Sequence, residues 1–336
     1  MTYTVTLDPS GKQFEADEDD TLLDAALHHG INLPYGCRNG ACGECKARIQ
    51  SGEVDLGEYK PHALPDEDKD AGYALLCQAH AESDLVVEAY ELGDPRKQEV
   101  RRLPARVHDF HKVTHDIMEV QLKLPEADRL QYLAGQYVEV ILNDGRRRAF
   151  SIANTPFHDE VLTLHIRHVP GGQFTEHIFG AMQKKEIWNI EGPLGNFYLR
   201  ASDRPALLLA GGTGLGPIKA ILETAFEEGV DRDFHLFFGA RTQSDLYLTA
   251  TLDAWQEAHP NFRWTPVLSQ PAADDDWRGE TGHLHEAIPR HYADLAGHEG
   301  YLAGPPPMVE ATTETLKAQG MAGNRIFSDA FTYSAE

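Results

Sequence analysis

Four cysteines are the residues of this 336-residue chain whose spacing points most directly to chemistry. Cys37, Cys42 and Cys45 form a C-x4-C-x2-C pattern, and Cys77 follows after 31 further residues. This is the plant-type spacing of four thiolates that hold a [2Fe–2S] cluster. Zinc sites with four thiolates usually contain two C-x2-C pairs, whereas this chain has one. The spacing therefore favours an iron–sulfur centre over a zinc site or disulfides.

A second group of residues, in the middle of the chain, has the chemistry of a flavin site. Arg148 is a cation for a pyrophosphate, and Phe150 offers an aromatic surface for an isoalloxazine ring. A glycine-rich turn with Gly171, Gly172 and Thr175 precedes a helical run at 176–182, where backbone N–H groups at a helix start would favour an anion. Taken singly, these residues also fit an exposed strand arginine, a core phenylalanine and an ordinary turn. Their combination after an iron–sulfur segment favours a flavin.

A third group indicates a nucleotide. The run Gly211–Pro217 follows the apolar strand 206–210 and opens a helix, so Gly212, Thr213 and Gly214 are candidate ligands of a phosphate. No Lys-Ser or Lys-Thr pair follows these glycines, so the run is not a Walker A motif and ATP hydrolysis is not expected.

Two further runs are predicted at the carboxyl ends of strands, where ligands bind in open α/β sheets. One contains Arg241 and Asp245, and the other contains Gly304, Pro305 and Met308. Three aspartates at 274–276 would repel a 2′-phosphate, which favours NADH over NADPH.

The elements that must position these groups fall into three blocks. Residues 1–93 alternate strand and helix, with a helix predicted at 21–29 behind an Asp20 N-cap. After a polar linker at 94–100, residues 101–200 contain short alternating runs that predict an antiparallel β-barrel. Residues 201–336 alternate strands with helices, which predicts an α/β domain with a parallel sheet.

The charge of the chain restricts its partners. The chain has 30 basic and 53 acidic residues, and residues 1–93 alone hold 19 acidic and 6 basic residues. Such a field disfavours nucleic acids and anionic membranes. Either the acidic first block meets a basic surface on another protein, or its charge simply keeps the protein soluble. With no apolar run near 18 residues, no signal-like N-terminus and grouped cysteines, we expect a cytoplasmic protein.

The order of these motifs resembles flavin-containing ferredoxin reductases with an N-terminal plant-type ferredoxin domain, members of the ferredoxin–NADP reductase superfamily. This group includes reductase components of oxygenases and the reductase of CDP-6-deoxy-hexulose dehydrase. The resemblance implies a β-grasp ferredoxin domain and FAD at the barrel, with Arg148 and the 171–175 turn at the pyrophosphate. It also implies that Ser151 lies near flavin N5, that His165 and Ile166 line the ribityl and adenine side, and that Phe331 or Tyr333 covers the ring.

The resemblance further implies an activity. Electrons would pass from NADH to FAD, then to the cluster, and then to a separate oxygenase component or sugar dehydrase. Phe150 stands where tyrosine is usual, Thr175 where serine is frequent, and Ala303 where many members have cysteine. Two alternatives stay open: a reductase of free flavin or small molecules, and a redox-sensing module without turnover.

Overall fold

A computed structural model describes residues 1–91, 99–272 and 276–332. The chain divides into two compact units, one built mainly from Met1–Arg101 and the other mainly from Arg102–Phe331. Most of the predicted linker at 94–100 lies outside the described residues. The three-part architecture predicted from the sequence is confirmed: a small mixed sheet with helices, an antiparallel six-stranded sheet and a parallel six-stranded sheet with helices.

The first unit is a five-stranded sheet with a short two-stranded ladder and two helices. The sheet order is β2-β1-β7-β3-β5, with β1 and β7 parallel. Its elements are β1 (Thr2–Asp8), β2 (Gln13–Asp17), α1 (Leu22–His28), β3 (Lys46–Ser51), β4 (Val54–Asp55), α2 (Asp66–Asp70), β5 (Tyr73–Leu75), β6 (His80–Ala81) and β7 (Leu85–Glu88).

Helix α1 begins one residue later than predicted. Thr21, rather than Asp20, is the N-cap, because its backbone is extended and its hydroxyl accepts a hydrogen bond of 3.1 Å from the N–H of Asp24. The side chains of Leu22, Leu23 and Ala26 are buried on one face of the helix. The predicted cap residue Asp20 is thus wrong by one position, although the predicted buried face is correct at these residues.

The first half of the second unit is a closed six-stranded antiparallel sheet, ordered β11-β10-β13-β8-β9-β12. A bridge between Ile152, just after β11, and Leu164 of β12 joins the two ends of this order and closes the barrel. Its elements are β8 (Arg101–Lys112), β9 (Ile117–Lys123), β10 (Tyr137–Ile141), β11 (Arg147–Ser151), β12 (Leu162–Arg167), α3 (Gln173–Gly180) and β13 (Ile187–Leu194).

The second half is a parallel sheet, ordered β17-β16-β15-β14-β18-β19, with four helices. Strand β14 lies where the order reverses, so the loop after it occupies the position at which such sheets bind ligands. The elements are β14 (Ala206–Gly211), α4 (Leu215–Glu227), β15 (Phe234–Ala240), α5 (Thr249–Ala258), β16 (Phe262–Leu268), β17 (Glu280–Thr281), α6 (Leu284–His291), β18 (Glu299–Gly304), α7 (Pro306–Ala318) and β19 (Ile326–Ala330).

Helix α4 joins the two halves of the second unit. Lys219 donates a hydrogen bond of 3.0 Å to the carbonyl of Ala153, and the hydroxyls of Thr224 and Thr155 lie 3.0 Å apart. The barrel residues Ala153 and Thr155 are themselves buried, so these bonds are shielded from water. Helix α4 therefore holds the antiparallel barrel against the parallel sheet.

Candidate functional site

The four cysteines gather in one loop region of the first unit. None is in a disulfide, and Cys45 and Cys77 are each 4% exposed. The sulfur of Cys37 accepts hydrogen bonds from the N–H groups of Ala41 and Cys42, at 3.4 and 3.3 Å, and the sulfur of Cys42 accepts one from the N–H of Cys37. The backbone thus directs its donors at the sulfurs, as an anionic thiolate cluster requires.

The four thiols form two hydrogen-bonded pairs, and each pair raises the pKa of the donor thiol, Cys42 or Cys45, while it lowers the pKa of the partner. Hydrogen bonds from the Cys42 thiol and from backbone N–H groups lower the pKa of Cys37 to about 5. A hydrogen bond from Cys45 likewise lowers the pKa of Cys77. The loop can curl tightly because Gly40 has a φ of +71° and a Cβ there would lie 2.7 Å from the carbonyl oxygen of Glu58. The four cysteines fit the cluster that their spacing predicts.

Arg148 differs from the two arginines before it because no carboxylate of the described residues pairs with it. Arg146 pairs with Asp144, and Arg147 pairs with the buried Glu139 and Glu191 at 2.9 and 2.6 Å. Among the contacts described for Arg148, the guanidinium donates to the backbone carbonyl of Arg147. A half-buried cation in this state is suited to hold a phosphate group.

The turn before α3 offers some, but not all, of its backbone N–H groups to an anion. Gly172 is the N-cap of α3, and none of the described side chains caps the helix start. The hydroxyl of Thr175 lies 3.0 Å from the carbonyl of Val169 and 3.1 Å from that of Gly172, so it shapes the turn from inside. The N–H of Gly171, however, donates to the Glu176 carboxylate at 3.1 Å. The remaining N–H groups of the first helical turn are the better candidates for a pyrophosphate.

Ser151, at the end of β11, contacts a residue that the sequence did not single out. Its hydroxyl donates a hydrogen bond of 3.2 Å to the carboxylate of Asp329 in β19. Asp329 is paired in the sheet with Ala303 of β18, and the N–H of Phe331 donates to the carbonyl of Gly304. The predicted flavin residue Ser151 is therefore joined to the strands that carry the predicted nucleotide residues. Phe150 packs against the ring of Phe174, with 5.9 Å between ring centroids.

Strand β12 turns two polar side chains toward the loop that follows β14. Successive side chains alternate across a strand, so His165 and Arg167 share one face while Ile166 points into the barrel core. Arg167 lies close to Gly212: a Cβ added to Gly212 would be 2.9 Å from the Arg167 Nη1 atom. Both side chains are buried, and His165 faces the glycine-rich loop after β14. That His165 and Ile166 line the flavin stays a prediction.

The loop Gly211–Gly216, called the glycine loop below, is packed too tightly for side chains at most of its glycines. A Cβ on Gly211 would lie 2.4 Å from the Met308 sulfur, and one on Gly214 would lie 1.9 Å from the Ala303 carbonyl oxygen. Gly304 has a φ of +146°, and a Cβ there would lie 2.9 Å from the carbonyl oxygen of Gly211. The predicted runs at 211–217 and 304–308 thus form one continuous structure.

Arg241 and Asp245 lie at the carboxyl end of β15, beside the barrel residue Asp116. Asp116 pairs with Arg167 at 2.8 Å, and Arg241 lies 3.7 Å from both Asp116 and Asp245. Although burial alone would raise the pKa of the Asp116 carboxyl, Arg167 lowers it below its usual range. Asp245 accepts hydrogen bonds of 3.0 Å from the N–H and the hydroxyl of Thr242, so it supports the local turn.

The remaining predicted residues are placed as follows. Thr213 is half-buried in the glycine loop, and Pro305 is the residue before α7. Asp276 is exposed beside Arg278, whereas Asp274, Asp275 and Tyr333 lie outside the described residues.

Three family models match successive parts of the chain. They are the 2Fe-2S iron-sulfur cluster binding domain at residues 5–82, the oxidoreductase FAD-binding domain at 104–198 and the oxidoreductase NAD-binding domain at 208–314. The CDP-6-deoxy-L-threo-D-glycero-4-hexulose-3-dehydrase reductase of Yersinia pseudotuberculosis is 36% identical over 99% of this chain and 100% of its own length. The chain belongs to the flavin-containing ferredoxin reductases with an N-terminal plant-type [2Fe–2S] domain.

Other relatives of this reductase carry the names of oxygenase systems. The phenol hydroxylase P5 protein of Acinetobacter pittii is 36% identical over 100% of this chain and 96% of its own length. Among solved structures, the Amycolatopsis cytochrome P450 reductase superposes with a TM-score of 0.88 at 35% identity, covering 98% of this chain and 99% of that one. The ferredoxin reductase in carbazole 1,9a-dioxygenase has a TM-score of 0.78 at 28% identity, covering 99% of each chain.

These findings fix the biochemical class. The reductase is an NAD(P)H-dependent electron-transfer oxidoreductase with domains for a [2Fe–2S] cluster, FAD and NAD(H), and as a component of a multicomponent system it has a terminal partner protein. Within the described residues, no helix is long and apolar enough to cross a membrane.

Proposed function

We propose that the reductase takes electrons from NADH and delivers them singly to a separate terminal protein, either an oxygenase component or a sugar dehydrase. The observation that carries this proposal is the contact between Ser151 of the flavin barrel and Asp329 of the nucleotide-binding sheet. Asp329 lies beside Ala303, whose carbonyl abuts Gly214 of the glycine loop. A dinucleotide on that loop would therefore have its nicotinamide end beside the strand that carries the flavin residues.

The residues of the chain have distinct tasks in this function. When bound, FAD supplies the exchange between a two-electron hydride donor and the one-electron [2Fe–2S] centre. Arg148 and the first turn of α3 would hold the FAD pyrophosphate, because Arg148 supplies a cation that no described carboxylate neutralises and the helix supplies N–H donors. The Ser151 hydroxyl donates its single proton to Asp329, so its oxygen would accept a hydrogen bond at the reacting edge of the flavin.

The same geometry supports NADH as the donor. Arg241 is a cation at the carboxyl end of β15, and two carboxylates, Asp116 and Asp245, lie 3.7 Å from it. At the end of the next strand, Ser269 and Gln270 carry no charge. A 2′-phosphate would thus meet an arginine whose charge is already offset, and the exposed Asp276 would add repulsion.

The acidic first domain and the relatives together suggest the acceptor. The relatives include a dehydrase reductase and reductases of oxygenases, and residues 1–93 hold 19 acidic against 6 basic residues. We expect a terminal protein with a basic docking surface, no binding to nucleic acid or membranes, and a cytoplasmic location. Electron delivery should weaken as ionic strength rises, because at physiological salt the interactions between exposed charges more than about 8–10 Å apart are largely screened.

The proposal is tested with the holoenzyme and its Cys42→Ser variant. Wild-type protein should reduce cytochrome c with NADH at a far higher kcat/KM than with NADPH. The variant should lose this activity and the visible spectrum of the cluster, yet retain NADH-dependent reduction of ferricyanide through the flavin. Unchanged cytochrome c reduction in the variant would favour a flavin or small-molecule reductase instead. Absence of turnover in the wild type would favour a redox-sensing module.

A further inference from the structure

Tyr247, between β15 and α5, lies between the flavin barrel and the glycine loop. Its hydroxyl oxygen is 3.1 Å from the Nδ1 atom of His165 in the barrel and 3.4 Å from the carbonyl oxygen of Gly212 in the loop. Both side chains are removed from water, with Tyr247 3% and His165 6% exposed. A single buried hydroxyl thus touches both halves of the second unit.

The surroundings of His165 assign the direction of the shorter hydrogen bond. Its Nε2 atom lies 3.6 Å from the Glu119 carboxylate, so a proton on Nε2 is the favoured tautomer. Burial lowers the pKa of His165 despite this carboxylate, with Lys219 of α4 acting in the same direction, and the ring is therefore neutral near pH 7. Burial raises the pKa of the Tyr247 hydroxyl and so keeps it protonated. Its single proton then lies between two acceptors, His165 Nδ1 at 3.1 Å and the Gly212 carbonyl at 3.4 Å, in a three-centre hydrogen bond.

The segment that carries Tyr247 is held firmly. Asp245 closes the preceding turn by accepting from Thr242, and the next residue, Leu248, has a left-handed backbone with φ of 57°. Such a conformation in a leucine persists only where the surrounding structure fixes it. The Tyr247 ring also meets the rings of His165 and Phe238 edge to face, at 5.3 and 5.7 Å between centroids.

The glycine loop also packs against His165, the partner of Tyr247. A Cβ on Gly216 would lie 3.4 Å from His165 Nδ1, so the first turn of α4 passes directly over the imidazole. Gly212 and Gly216, near the two ends of the loop, are therefore supported by Tyr247 and His165 respectively. Loss of the hydroxyl would leave His165 Nδ1 without its donor and would loosen the loop at Gly212.

We propose that Tyr247, acting through His165 and Gly212, is a positioning residue for pyridine dinucleotide binding. It holds the glycine loop in the conformation that receives the phosphates before the dinucleotide arrives. The dinucleotide itself does not need to touch the hydroxyl. This inference rests on the proposed function, because it assigns the phosphates of NADH to the glycine loop.

The test compares Tyr247→Phe with Tyr292→Phe in the FAD- and cluster-loaded protein. Tyr292 is a matched control because its hydroxyl also bonds a buried histidine, His235 Nδ1 at 2.8 Å, but at the amino end of the same sheet. Tyr247→Phe should raise the Kd for NAD+, measured by calorimetry, about three- to tenfold, as loss of one neutral hydrogen bond predicts. KM for NADH should rise in parallel, while kcat stays within about twofold and the FAD content is unchanged.

Tyr292→Phe should leave the Kd for NAD+ unchanged even if it lowers the thermal midpoint. An unchanged Kd in Tyr247→Phe, or equal losses of affinity in both variants, would overturn the assignment. A wild-type protein that does not bind NAD+ would instead count against the proposed function, so the two failures are distinguishable.

Substitutions of His165 test the route of the effect. Asn at this position retains an acceptor near the Nδ1 site, so His165→Asn should bind NAD+ more tightly than His165→Leu. Combined with Tyr247→Phe, His165→Leu should add little further loss of affinity, because both changes remove the same hydrogen bond. Fully additive losses would show that the two residues act independently and would contradict the proposed route.

Discussion

Gly214→Ala tests the geometry of the glycine loop most directly. Gly214 has an ordinary right-handed backbone, with φ of −60°, so alanine is compatible with its conformation. The obstacle is steric: the new Cβ would lie 1.9 Å from the Ala303 carbonyl oxygen, whereas real contacts essentially never fall below 3.0 Å. The loop or β18 must therefore move by about 1 Å, and such overpacking costs about 1–3 kcal/mol of stability.

The same displacement should impair catalysis more than it impairs folding. A misplacement of about 1 Å near reacting groups can cost about 10²-fold in rate, so we expect kcat/KM for NADH to fall by about one to two orders of magnitude. The assay is NADH–ferricyanide reduction with FAD content and thermal midpoint measured in parallel. Gly297→Ala is the control, because a Cβ there meets nothing within 4 Å. A kcat/KM within twofold of wild type for Gly214→Ala would refute the reasoning.

Three further predictions follow from single contacts. Arg148→Gln should yield protein with sub-stoichiometric FAD by absorbance, whereas Arg146→Gln should retain it, since Arg146 is already neutralised by its own carboxylate partner. Ser151→Ala should slow reduction of the flavin by NADH about tenfold in stopped-flow measurements at unchanged FAD content, the loss expected for one hydrogen bond. Because Arg167 lowers the folded-state pKa of Asp116, that carboxylate stabilises the fold above its unfolded pKa of about 3.9, and the stabilisation is lost as pH falls through the folded value. Asp116→Asn should therefore lower the thermal midpoint at pH 6, and its difference from wild type should shrink below about pH 4.

Local patterns in the sequence were sufficient for most of the elements. The alternation in 161–167 and the continuous apolar run at 206–210 predicted β12 and β14 to within a residue, because side-chain period and burial are properties of neighbouring residues. Helix starts were less accurate. Helix α3 begins at Gln173, three residues before the predicted start at 176, because the glycine-rich turn predicted at 171–175 includes the first three residues of the helix. Helix α4 begins at Leu215, inside the run Gly211–Pro217, because glycine and proline discourage a helical prediction although proline is tolerated in a first turn.

The contacts that organise the site could not be predicted from the sequence, because they join residues that are far apart along the chain. Ser151 meets Asp329 across 178 residues, and His165 meets Tyr247 across 82. No local period links such positions, and a single sequence offers no covariation between them. That Arg167 lies on the same strand face as His165, two residues earlier, could be predicted from the alternation of a strand. Its contact with Gly212 could not, because that contact depends on how the glycine loop packs against this face.

The glycine pattern at 211–216 is only moderate evidence for a nucleotide site, because glycines can be required for other reasons. Its glycines satisfy three separate requirements. Gly212 needs a left-handed backbone, with φ of +56°, while Gly211 and Gly214 are excluded from bearing side chains by Met308 and by the Ala303 carbonyl. The last two constraints arise from the protein's own packing and hold whether or not a dinucleotide is bound. The glycine loop of this chain is therefore specified by the strand and helix behind it, which explains why the glycines at 211–216 and the Gly304–Met308 run form one continuous structure.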